Sequence, residues 1–136
     1  MALPSLQDKR ILLLGAETGV GRDTADALHL AGATLALVAS AAGAESAFAV
    51  QRLGRRLGAL SQAIDATNEA AVRVMVRQLS KELGGIDAAV SCVTDERARE
   101  LFERHARREM KRTGGGVFVD TAGTADVVAA VAGPSG

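Results

Sequence analysis

The run RILLLG, Arg10 to Gly15, constrains this chain more than any other stretch. Four aliphatic residues in a row, with no polar alternation, suit a strand covered on both faces, and the glycine ends it in a turn. Such a strand pairs with parallel neighbours, and parallel neighbours need crossover connections of a dozen residues or more. The rest of the chain supplies them. VGRDTADALHLAG carries Ala25, Leu28 and Ala31 at helical spacing and stops at Gly32. ATLALVAS reads as a second strand, and GAESAFAVQRLGRRLG as a second helix with Gly54 as a weak point and Gly58 as its stop. ALSQAID is a third, more polar strand, as suits a sheet edge. TNEAAVRVMVRQLSKELGG is the plainest helix: Thr67 or Asn68 caps it, Val72, Met75, Val76 and Leu79 line one face, and Gly84 ends it. IDAAVSCV gives a fourth strand, DERARELFERHARREMKRT a charged helix, VFVDTAG a fifth strand after the break at Gly114 to Gly116, and TADVVAAVAGPSG one short helix. Strand and helix alternate throughout. That predicts an α/β fold, a doubly wound parallel sheet of about five strands with helices on both faces, in one domain over residues 1–136.

Composition narrows the function classes. The 136 residues are 48% apolar, enough for a real core, and carry 16 basic against 16 acidic side chains. Zero net charge argues against a general affinity for nucleic acid or an anionic membrane. The single cysteine, Cys92, forms no internal disulfide, and a cytoplasmic protein is expected. The opening MALPSLQDKR reaches Asp8 and Lys9 before any long apolar run, so no signal peptide is expected. Ala27 to Ala44 is uncharged, but Gly32 and Gly43 divide it into a helix end, a turn and a strand rather than a membrane span. His29 and His105 fall on separate helices without an acidic or cysteine cluster, so no metal site is expected, and Cys92 reads as a buried, inert thiol.

The glycines of GAETGVG, Gly15, Gly19 and Gly21, lie between a buried strand and a helix. In that context glycine permits a sharp turn, and the helix start directs free N–H groups at a phosphate. The bland alternative is a tight turn that binds nothing. The spacing G-x-x-x-G-x-G resembles the short-chain dehydrogenase/reductase family, and three further stretches resemble it in the same order. DAT, Asp65 to Thr67, is similar to the region whose aspartate contacts adenine in that family. GGIDAAVSCV is similar to the fourth strand, and EMKRTGGGVFVDTAG to the end of the long interface helix and the strand that carries the catalytic serine. The resemblance covers Arg10 to Gly123 and implies a Rossmann-like fold with NAD or NADP as cofactor. It implies cofactor contacts at Gly15, Thr18, Gly19, Val20, Gly21, Ser40, Asp65, Ala66 and Ser91. About 20 residues past the glycines a carboxylate suits NAD and an arginine NADP. This chain has neutral Ser40 there, while Glu17 in the loop would repel an extra phosphate, so NAD is favoured.

The family's chemistry is not matched. Hydride transfer needs a group that gives or takes the alcohol proton, in this family a tyrosine with a lysine four residues on. The sequence contains no tyrosine, Ala122 falls at the serine position beside a misplaced Thr121, and Gly136 comes before the segment that would carry the tyrosine and lysine. The family's Asn-Asn-Ala-Gly reads Ser91-Cys92-Val93-Thr94, and only 19 residues separate Thr94 from Gly114, too few for the usual catalytic asparagine. A reduced dinucleotide-binding domain without independent oxidoreductase activity is expected. The alternatives are a non-catalytic subunit pairing with a full-length relative, and a truncated NAD(P)-dependent oxidoreductase. Residues 95–112 hold 12 of the 32 charged residues, five acids among seven bases. Ala98, Leu101, Phe102 and His105 form a narrow stripe, and Glu100 with Arg104 and Glu103 with Arg107 are spaced for ion pairs. By resemblance this helix is the place for a homo-oligomer or for a full-length partner.

Overall fold

A computed structural model describes residues 4–133. Its elements are β1 (Arg10–Leu14), α1 (Gly19–Leu30), β2 (Thr34–Ala39), α2 (Ala44–Leu57), β3 (Leu60–Ala63), α3 (Glu69–Leu83), β4 (Ala88–Ser91), α4 (Glu96–Thr113), β5 (Val117–Asp120) and α5 (Val127–Ala132), with a short 3-10 turn at Thr121–Gly123. The five strands are all parallel, in the order β3-β2-β1-β4-β5.

The aliphatic run of β1 explains its central place. Ile11 and Leu13 face one side, with Leu28 of α1, Val50 and Leu53 of α2 and Val131 of α5. Leu12 and Leu14 face the other, with Val72, Met75 and Leu79 of α3 and Leu101, Phe102 and Met110 of α4. Every side chain from Ile11 to Leu14 is fully buried, as a strand covered on both faces must be. The edge strand β3 is half exposed, in keeping with its polar Ser61 and Gln62.

Helix ends fall at the glycines expected of them. Gly58, Gly84 and Gly114 cap α2, α3 and α4 in the left-handed region, and Asn68 rather than Thr67 caps α3 by accepting from the Ala71 amide. Gly54 is not a weak point. A Cβ there would lie 3.0 Å from the Ala59 carbonyl oxygen and 3.1 Å from Ser61 Cβ, so glycine lets α2 close down on β3. The stripe of α4 is buried as expected, including His105, whose Nε2 lies 3.2 Å from Glu69 Oε2 of α3. Glu103 pairs with Arg107 at 2.8 Å, but Arg104 reaches across to Glu69 at 2.7 Å instead of pairing with Glu100. A carboxylate on the neighbouring helix outcompetes the one a turn away. Among the described residues no helix is long and apolar enough to cross a membrane.

Candidate dinucleotide site

The sheet order turns back at β1, with β2 on one side and β4 on the other. Open parallel sheets bind ligands in the crevice outside the carboxyl ends of their strands at such a point. The glycine loop lies there. Gly15 has φ 93°, and the amides of Gly15 and Ala16 both donate to the Val38 carbonyl, at 2.8 and 3.1 Å. Thr18 then caps α1 through one hydroxyl used twice: Oγ1 donates to the Gly15 carbonyl at 2.8 Å and accepts from the Gly21 amide at 2.8 Å. The amides of Gly19 and Val20 carry no hydrogen bond among the described residues, and the Val20 side chain is 57% exposed. They are the free donors that a helix start presents to an anion.

The three glycines serve different ends. At Gly21 a Cβ would fall 2.0 Å from the Gly15 carbonyl oxygen and 2.8 Å from Ala16 Cα, both backbone atoms. At Gly15 it would meet the Cys92 carbonyl at 3.0 Å, and the positive φ disfavours any side chain. Both are demanded by the fold. At Gly19 nothing lies within 4 Å and φ is not positive. A Cβ there would enter open space at the start of α1, so the loop has room for a pyrophosphate, and of its three glycines Gly19 alone is required neither by a close backbone contact nor by a positive φ.

A cleft of about 150 Å³ opens beside the loop. Its walls are Thr18, Ser40 at the end of β2, Thr67 after β3, Val93, Thr94 and Asp95 after β4, and Ala98 of α4. The larger cavity of about 630 Å³ lined by Arg73, Lys81, Gly85 and Arg112 lies at the opposite, amino-terminal edge of the sheet, away from the loop. Asp65 is exposed, and its Oδ1 accepts from the Thr67 hydroxyl at 2.6 Å and the Thr67 amide at 3.0 Å. Those two bonds hold its carboxyl below the usual aspartate range. The Ala66 amide is already given to the Ser40 carbonyl at 3.1 Å, which ties the end of β3 to that of β2. Ser91 is 0% exposed and does not line the cleft; its Oγ is the one buried side-chain polar atom among the described residues without a partner.

Sequence reasoning missed Asp95 and the conformation of Glu17. Asp95 was legible as a cap, since it opens the charged helix, and its Oδ1 accepts from the Ala98 amide at 2.8 Å. Glu17 reaches across the loop to Ser40, accepting from its amide at 3.0 Å and from its hydroxyl at 2.5 Å. No local pattern signals a bond 23 residues along the chain. At the far end of β5, Ala122 is exposed and Thr121 Oγ1 donates inward to the Ser91 carbonyl at 3.0 Å. Among the described residues no group of three or more His, Cys, Asp or Glu is placed to hold a metal ion.

Sheet order, switch-point crevice and glycine turn define a Rossmann-like domain of the dinucleotide-binding class. Residues 15–132 match the family described as enoyl-(acyl carrier protein) reductase, and the chain belongs to the short-chain dehydrogenase/reductase family. Among solved structures it is similar to a short-chain type dehydrogenase/reductase from Mycobacterium ulcerans, at 28% identity and TM-score 0.72, over 85% of this chain and 51% of that one. A short-chain type dehydrogenase/reductase from Mycobacterium marinum matches at 28% identity and TM-score 0.70, over 88% and 59%. An NAD+-bound xylitol dehydrogenase shares the fold at 20% identity and TM-score 0.72, over 85% and 53%. The chain thus spans between 51% and 59% of the length of these structures. Comparison with curated proteins gives no significant match.

Proposed function

We propose that this chain is a dinucleotide-binding module of short-chain dehydrogenase ancestry, which holds the ADP part of NAD(H) at the glycine loop and has no oxidoreductase activity of its own. The observation that carries this reading is Gly19. Folding accounts for Gly15 and Gly21, whereas Gly19 has open space around it at a helix start whose first amides have no partner among the described residues, a combination that suits a bound phosphate.

Bound NAD would supply hydride exchange at its nicotinamide. The residues on hand would bind and orient it: the Gly19 and Val20 amides would donate to the pyrophosphate, Thr18 fixes the turn, and Asp65, its carboxyl held below the usual range by Thr67, would serve the adenine. None of them can move the alcohol proton. These 136 residues contain no tyrosine, and Ala122 offers no hydroxyl where the family's serine falls.

Calorimetric titration with NAD, NADH, NADP and NADPH tests the reading. Without Trp or Tyr the protein background is low, so NADH fluorescence can be followed directly. The expected result is saturable binding of NAD that is lost in Gly19→Val while the fold survives. No heat and no thermal stabilisation at millimolar NAD, where a micromolar binder gains about 4 kcal/mol, would refute it.

A second reading, association through α4 with another copy or a full-length relative, is a polar one. Arg97, Glu100, Arg104 and Arg108 are exposed along that helix, and none of its large apolar side chains is. An assembly of that kind should dissociate as salt rises, which size-exclusion chromatography would show.

A further inference from the structure

We propose that the basic groove between α3 and α4 is a second binding site, which takes a small ligand carrying two or more linked phosphates. It lies at the opposite edge of the sheet from the glycine loop and is independent of the nucleotide reading.

The cavity of about 630 Å³ draws its cations from two helices. Arg73, Arg77 and Lys81 follow one another at four-residue spacing down one face of α3, and Arg112 comes from the last turn of α4. No Asp or Glu lines it. A smaller hollow of about 110 Å³ continues it along the two helices, sharing Arg73, Arg77 and Arg112 and adding Arg108 and one acid, Glu109. Arg73, Arg77, Lys81, Arg108 and Arg112 thus face a single carboxylate, in a chain whose net charge is zero. That carboxylate is spent on orientation. Glu109 is 3% exposed, and Arg112 donates to it from Nη2 at 2.7 Å and from Nε at 3.2 Å, with Arg77 Nε 3.7 Å away. One buried charge holds two guanidiniums at the groove wall and cannot neutralise both.

Folding does not call for this arrangement. Arg73, Lys81 and Arg108 form no ion pair among the described residues. Cations in the last turn of a helix offset its dipole, which accounts for Lys81 and Arg112. Arg77 and Arg73 lie one and two turns further back in α3, where that benefit is gone and like charges four residues apart repel. A bound anion would remove the repulsion. Arg73 and Lys81 are separated by about 12 Å along the helix axis, more than a single phosphate can bridge. Linked phosphates can meet successive cations, and the planar guanidinium suits phosphate oxygens two at a time. The cavity is also of the size that encloses a small organic ligand.

The test is calorimetric titration with inorganic phosphate, pyrophosphate and tripolyphosphate, in about 0.1 M salt so that remote charges are screened. It compares the wild type, Gly19→Val, and a double variant with Arg73→Gln and Lys81→Gln, beside a thermal melt of each. Both replaced cations are exposed and relieve a like-charge row, so the double variant should melt no lower than the wild type. Tripolyphosphate should bind the wild type most tightly and phosphate least. Gly19→Val should retain that binding. The double variant should weaken it at least about tenfold, and Lys81→Gln alone about fivefold, the worth of one contact charge in water. Loss of tripolyphosphate in Gly19→Val alone would move the ligand to the glycine loop and overturn the proposal. So would unchanged affinity in the folded double variant, or no saturable binding by the wild type at millimolar tripolyphosphate. A poly-glutamate peptide that binds more tightly than tripolyphosphate would also overturn it, and assign the groove to an acidic protein.

Discussion

Replacing Gly19 and Gly21 separately by alanine should move stability in opposite directions, although only Val20 stands between them. At Gly21 the added methyl would sit 2.0 Å from the Gly15 carbonyl oxygen and 2.8 Å from Gly15 C and Ala16 Cα. Carbon and oxygen need more than 3 Å, and no atom in the way is the flexible end of a side chain. The start of α1 must therefore back away from the end of β1, straining the bond from the Gly21 amide to Thr18. Overpacking of this severity costs about 3 kcal/mol, a large part of the 5–15 kcal/mol that holds a domain together. At Gly19 the methyl enters empty space on the first residue of a helix. There alanine removes backbone freedom from the unfolded chain and stabilises by about 0.5–1 kcal/mol. Thermal unfolding followed by far-ultraviolet circular dichroism reads both. With a midpoint slope of about 4 °C per kcal/mol for a chain of this size, melting should fall by about 12 °C in Gly21→Ala and rise by about 2–4 °C in Gly19→Ala. Equal losses in the two variants would show that Gly19, too, is required by the fold, and the argument for an anion at that position would collapse.

Two further outcomes follow from buried titratable groups. Burial pushes the Cys92 thiol up to about 11, so at pH 8 it should resist a thiol reagent in the native protein and react at once in urea; rapid native labelling would contradict the burial of Cys92 just beyond β4. Glu109, 3% exposed, is held by Arg112 at 2.7 Å, and that bond keeps its carboxyl below the usual glutamate range. A lowered folded pKa stabilises above the unfolded value and is lost as pH falls through the folded one. Wild-type stability should accordingly drop more steeply between about pH 5 and pH 3 than that of Glu109→Gln, which should itself be about 1–3 kcal/mol weaker at pH 7; parallel pH curves would remove Glu109 from the acid response.

What the sequence made legible was whatever one element decides by itself. RILLL announces its own burial on both faces, and Gly58, Gly84 and Gly114 announce helix ends because few other residues enter the left-handed region. The stripe Ala98, Leu101, Phe102, His105 declares which side of α4 faces inward. What stayed hidden depends on a second element arriving. Gly54 reads as a weak point in its helix until β3 is laid against it, and Arg104 reads as the partner of Glu100 until α3 brings Glu69. The site divides in the same way. The glycine turn is local and was visible, whereas the caps Thr18 and Asp95 were not read, and the clamp of Glu17 on Ser40 exists only once β2 lies beside β1.

The central place of β1 carries a cost during synthesis. Its first neighbour, β2, follows at once, with Ile11 opposite Leu35, but its second, β4, places Ala88 opposite the same residue. At about 5–20 residues per second, several seconds pass between the emergence of the first side and the second. Through that interval the most aliphatic strand of the protein offers an unpaired row of backbone groups, flanked by Leu12 and Leu14 with α4 not yet made to cover them. Such an edge recruits other strands. The nascent chain is thus most open to aggregation in the interval after β2 has emerged and before β4 has followed it.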